Sequence, residues 1–158
     1  MKKNIIVCAL VIVNISNVHA KNGGLGAMFA EIIGNAVGSV AGKSMADSQT
    51  IEKALVEITN KVNQRMPMTI DSSTRLDNVL GQNKRFTYNY TIVSAKFNEI
   101  NKEKLSIFFT KLKAGICSSP DLVDFLKNGI TVAYSYRASD GVFISKLEVT
   151  PKECGYIM

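Results

Sequence analysis

Residues 84–95 read KRFTYNYTIVSA, and their alternation sets the reading of the rest of the chain. Phe86, Tyr88, Tyr90 and Ile92 fall on one side, and Thr87, Asn89, Thr91 and Val93 on the other. A period of two with aromatic and β-branched residues predicts a strand with one core face and one wet face.

A second alternating run covers residues 130–137, with Ile130, Val132, Tyr134 and Tyr136 on one side. Asp140-Gly141 is a tight-turn pair, residues 142–149 run back as the partner, and Pro151 stops them. Tyr88, Tyr90, Tyr134 and Tyr136 are expected on the sheet, paired across neighbouring strands. Half-buried sheet residues are the plain reading of that row, and a platform for a partner is the alternative.

Helical periods flank these strands. Ile51, Ala54, Leu55, Ile58 and Val62 make one apolar stripe over residues 49–65, with Glu57 and Lys61 as an i, i+4 pair outside it. Pro67 ends that helix. Residues 98–115 carry Leu105, Phe108, Phe109 and Leu112 on one side, followed by Ile116, and lysines on the other. A shorter helix opens at Ser119-Pro120 and closes before Gly129, with proline early and glycine late. Residues 68–71 read as a short strand, and 72–81 as a turn followed by a helical turn holding Leu76, Val79 and Leu80. Together these predict an α+β domain over residues 48–158, with an antiparallel sheet of three or four strands and helices on one face.

Two further segments precede it. Residues 1–20 have the form of a secretory signal peptide: Lys2 and Lys3, an apolar run from Ile5 to Val13, then Val18-His19-Ala20 at the cleavage site. Removing Lys2 and Lys3 from the 19 basic residues leaves 17 against 13 acidic ones, a mild excess without a basic cluster. That balance speaks against nucleic-acid binding. In residues 21–47, small residues recur every fourth position at Gly26, Ala30, Gly34, Gly38, Gly42 and Ala46. That spacing lines one side of a helix with a shallow groove, the small-xxx-small pattern of close helix packing. Leu25 to Gly42 would span about 27 Å, barely a hydrocarbon core, with Glu31 and Asn35 inside it. A membrane-associated or self-associating helix, a helix docked on its own domain or on a partner, and a glycine-rich linker all remain open.

Export gives the cysteines their meaning. Cys8 leaves with the signal, so Cys117 and Cys154 remain and are expected to form one structural disulfide in the periplasm or outside the cell.

The only histidine, His19, also leaves, so the mature chain has no Ser-His-Asp or Cys-His chemistry and no ordinary zinc site. Asp121 and Asp124 share a helical face, but Asp121 follows Ser119-Pro120, where a negative charge favours a helix N-terminus in any case. Arg75 and Asp77 read equally as an exposed pair for a partner or as a plain surface ion pair. No glycine loop is placed to cradle phosphate. No cofactor, metal or catalytic residue is expected.

The blocks Pro67-Met68-Thr69-Ile70-Asp71, Thr74-Arg75-Leu76-Asp77, Tyr88-Asn89-Tyr90-Thr91 and Tyr134-Ser135-Tyr136-Arg137 with Asp140-Gly141 resemble small exported bacterial envelope proteins without an assigned activity. The resemblance covers roughly residues 55–155 and implies no catalytic residues. The resulting expectation is a non-enzymatic exported binding module of the bacterial envelope. It would be an accessory part of a secretion or conjugation machine, or an inhibitor or exclusion protein, with a protein partner, a membrane contact or self-association through the glycine helix. The alternative is a secreted pore-forming or membrane-active toxin whose glycine helix inserts and oligomerises.

Overall fold

The computed structural model describes residues 48–156. The signal peptide and the small-residue segment, with Gly26, Ala30, Gly34, Gly38 and Gly42, lie outside the described residues.

The first helix, α1 (Ser48–Asn63), buries the stripe its sequence announces: Ile51, Leu55, Ile58 and Val62 are almost fully enclosed. Glu57 and Lys61 pair on its outer side. A short strand β1 (Met68–Thr69) pairs antiparallel with β2 (Thr74–Gln82), which pairs antiparallel with β3 (Arg85–Ile92). The chain then crosses through a 3-10 turn at Phe97–Glu99, α2 (Lys102–Ser118) and α3 (Pro120–Lys127). It returns as β4 (Thr131–Ala138), parallel to β3, and closes with β5 (Phe143–Val149), antiparallel to β4. The sheet order is β1-β2-β3-β4-β5, with β5 at one edge.

The architecture is α+β, with two departures from the expected sheet. The sheet is mixed and five-stranded rather than antiparallel with three or four strands. The reason is the crossover: two helices between β3 and β4 carry the chain back to the end from which β3 set out, and a strand that restarts there must run parallel. The second departure is β2, where a helical turn was expected around Leu76, Val79 and Leu80. A bulge between Leu76 and Asn78 inserts one residue into the strand. Leu76 and Val79 therefore both face the core although they stand three apart, a spacing that imitates a helix.

The helices cover one face of the sheet. Phe86 stacks on Phe125 of α3 at 5.1 Å, and Phe109 of α2 meets Tyr136 at 5.5 Å. On the α1 side the approach is closest at Gly81, where an added Cβ would lie 2.6 Å from Thr59 Oγ1 and 2.8 Å from the Leu55 carbonyl. Because β1 is so short, α1 takes over part of the duty of an edge partner for β2. The Asn63 side chain donates to the Val79 carbonyl (2.9 Å) and accepts from the Val79 N–H (2.8 Å). The Glu52 carboxylate accepts from the N–H groups of Asn83 (2.9 Å) and Lys84 (2.7 Å) in the β2–β3 turn.

That turn holds Asn83 and Lys84 at φ 54° and 52°, the two left-handed positions of a two-residue hairpin. Asparagine tolerates this region and lysine does not, at a cost of roughly 1–2 kcal/mol. Glycine would escape that cost and keep the N–H that Glu52 accepts. Lys84→Gly is expected to raise stability by about 0.5–1 kcal/mol after the larger entropy of glycine in the unfolded chain is counted. Urea denaturation checks this, with Lys84→Val moving the midpoint in the opposite direction.

Candidate docking groove

The crossover leaves α2 standing beside the edge of the sheet, and an open groove of about 520 Å³ runs between α2 and β5. Leu105 and Phe109, one helical turn apart, form one wall, while Ile144 and Leu147 of β5 form the other. This follows from the amphipathic pattern of α2. Phe108 and Phe109 pack on Tyr136, while Leu105, one turn before Phe109, lines the groove against β5.

Phe97 and Ile100 close one end. Phe97 stays 39% exposed, yet its backbone is fixed. Its N–H donates to Asp140 (3.2 Å), and the preceding Lys96 N–H donates to the Glu99 carboxylate (2.7 Å). At the other end Lys113 donates to Glu153 at 2.6 Å. Hydrogen bonds from Lys113, then from the Thr150 backbone and hydroxyl, hold the Glu153 carboxyl down at about 2, so it remains ionised. The next residue, Cys154, is joined to Cys117 of α2. The expected disulfide is formed, and it ties the C-terminal 3-10 turn Pro151–Cys154 to the helix that forms the groove.

The residues singled out from the sequence sit on both faces of the sheet. Parallel pairing sets Tyr88 opposite Tyr134 and Tyr90 opposite Tyr136, with ring centroids 5.0 and 5.2 Å apart. All four lie on the helix-covered face. Burial, with repulsion from neighbouring phenols at Tyr88, Tyr134 and Tyr136, pushes their hydroxyls well above the ordinary tyrosine value. They are neutral packing groups at any physiological pH. Arg75 and Asp77 are on the opposite face, which no described helix covers, joined to each other at 2.6 Å, with the Thr91 hydroxyl donating to Asp77. The tyrosines and the Arg75–Asp77 pair therefore do not share one surface.

Asp121 lies in the first turn of α3, as read, and among the described residues no cluster of three histidine, cysteine or acidic side chains could hold a metal. No described helix is long and apolar enough to cross a membrane.

Sequence reasoning missed Phe97 and the groove that Leu105 and Phe109 line. The only signal was Phe97 itself, a bulky apolar residue in a short polar link.

A family model described as a domain of unknown function, DUF8479, matches residues 49–142. The chain belongs to that family. The DUF8479 match runs from α1 to the turn before β5, so it takes in the α2 wall of the groove and leaves out β5 and Cys154. No curated protein matches the chain.

Three solved structures share the fold. One is a protein from Pseudomonas aeruginosa described as secreted, with TM-score 0.56 and 12% identity, covering 66% of this chain and 92% of that one. Another is the pilotin EpsS of the Vibrio vulnificus type 2 secretion system, with TM-score 0.52 and 15% identity over 67% and 93% of the two chains. The third is the type II secretion system pilotin AspS from Vibrio cholerae, with TM-score 0.52 and 13% identity over 67% and 94%. At these identities the likeness is one of fold.

Proposed function

We propose that this chain is a non-enzymatic exported protein of the bacterial envelope that docks a protein partner in the groove between α2 and β5, as an accessory component of a larger machine. The single observation that carries the reading is the groove: an apolar trough of about 520 Å³, walled by Leu105, Phe109, Ile144 and Leu147, with Phe97 held half-exposed at its mouth. Apolar surface kept open on a rigid scaffold is the form a docking site takes. The fold shared with a secreted protein and with two type 2 secretion pilotins supports the envelope setting. In this reading residues 1–20 direct export, and the small-residue segment 21–47 holds the domain at a membrane or against other copies.

A photo-crosslinking amino acid placed at Ser106 or Thr110, both on the groove rim, tests it in the bacterium that makes the protein. Adducts of one discrete mass should form from these two positions and not from Asn89 on the uncovered sheet face. Adducts from neither rim position, or equal adducts from Asn89, would remove the groove from the account.

A further inference from the structure

We infer that β5 pairs antiparallel with β5 of a second copy of this chain, joining the two five-stranded sheets edge to edge. The pairing uses the rim of the sheet and stands whether or not a partner docks in the groove.

β5 is the last strand in the order, so one of its sides has no neighbouring strand. Among the described residues, no backbone or side-chain group bonds to the outward N–H and C=O groups of residues 145–149. Such a row is a template for another strand, and native edges blunt it with a bulge, a proline or a lone lysine. Here the bulge sits at the start of the strand: Ile144 is the extra residue between the pairs Tyr136–Ser145 and Arg137–Phe143. Residues 145–149 keep a regular register, and Pro151 comes only after the strand has ended. The lysine is not alone either, because Lys146 pairs with Glu148 at 2.6 Å on the same side of the strand.

The charges also choose the register. Two identical antiparallel strands share a two-fold axis, so the residue at the centre faces its own copy. With Leu147 at the centre, Lys146 faces Glu148 of the second copy and Glu148 faces its Lys146. Four charges of alternating sign then close a ring across the axis. On the other face Leu147 meets Leu147, and Ser145 meets Val149. Moving the centre by one residue sets Lys146 against Lys146, or Glu148 against Glu148, and like charges directly opposite are destabilising. Leu147 also walls the groove, so its counterpart in the second copy extends the same apolar surface across the axis. A strand pair alone buries less than a standard interface, which makes the association dependent on concentration.

Sedimentation equilibrium of the full mature chain over a concentration series should show a monomer–dimer system. Lys146→Glu turns both attractive contacts across the axis into repulsive ones and should weaken the dimer roughly tenfold or more. Lys146→Glu combined with Glu148→Lys rebuilds the ring with its signs exchanged, and should return the affinity to within about threefold of wild type. The Arg85–Glu148 pair (3.3 Å) is lost from monomer and dimer alike in that double variant and so cancels. Circular dichroism checks that each variant is folded. A monomer at every concentration would overturn the inference, as would a loss on Lys146→Glu that the double variant does not repair. A dimer indifferent to Lys146→Glu but lost on Gly34→Leu would place self-association in segment 21–47 and overturn it too. None of these outcomes bears on crosslinking from Ser106 and Thr110, which decides the groove separately.

Discussion

Gly81→Val should cost about 3 kcal/mol or more and bring the domain close to its unfolding threshold. The first added carbon would lie 2.6 Å from Thr59 Oγ1, 2.8 Å from the Leu55 carbonyl oxygen and 3.1 Å from Leu55 Cβ. A flexible side-chain tip could turn away, but the Leu55 carbonyl is helix backbone and Leu55 is completely buried. The whole of α1 would have to lift. Lifting it loosens the Asn63 bonds to Val79 and the Glu52 bonds to the turn at Asn83 and Lys84. Overpacking of this kind costs about 1–3 kcal/mol before such losses, well above the fraction of a kcal/mol that valine gains as a strand former. Urea denaturation gives the number. Thr59→Ala should rescue Gly81→Val only in part, because it removes the hydroxyl and leaves the carbonyl. A wild-type midpoint for Gly81→Val would mean that α1 is not seated on β2 as described.

Cys117→Ala with Cys154→Ala should cost about 4 kcal/mol, the chain-entropy value for a loop of the 37-residue separation between the two cysteines. The effect should be uneven. The segment at 150–156 hangs from Cys154, from the Thr150–Glu153 capping box and from the Lys113–Glu153 bond, so it should loosen first. Hydrogen exchange should then rise in that segment and in the last turns of α2 before it rises in β3. The wild-type protein held in reductant should behave in the same way. A loss below about 1 kcal/mol by urea denaturation, with unchanged exchange at 150–156, would mean that the bond staples nothing.

Much of the fold was legible because local pattern and burial agree. Residues 84–95 alternate cleanly since one face of β3 meets the helices and no described helix packs on the other. Residues 49–65 show a helical stripe because α1 rests on β2 along one side. The tyrosine pairs were legible as pairs, but the parallel direction that creates them was not. Direction is decided by where α2 and α3 deliver the chain, and no residue in β3 or β4 encodes it. Residues 76–80 misled for a local reason, since the bulge turns a strand's period of two into a helix-like three.

The groove was the least legible feature. Leu105 and Phe109 look alike in sequence, and both read as core. That Leu105 faces an open trough, and that Phe97 closes it, depends on where α2 is seated relative to β5, which is a property of the assembled layers.

Carbene footprinting of the protein in its native envelope, compared with the purified protein, tests the docking groove most directly. Occupancy predicts that the peptides holding Phe97, Leu105 and Phe109 are labelled strongly when purified and are protected in the envelope. Arg75 and Thr91 on the uncovered face should be labelled alike in both. Equal labelling of the groove in the two settings would contradict the account.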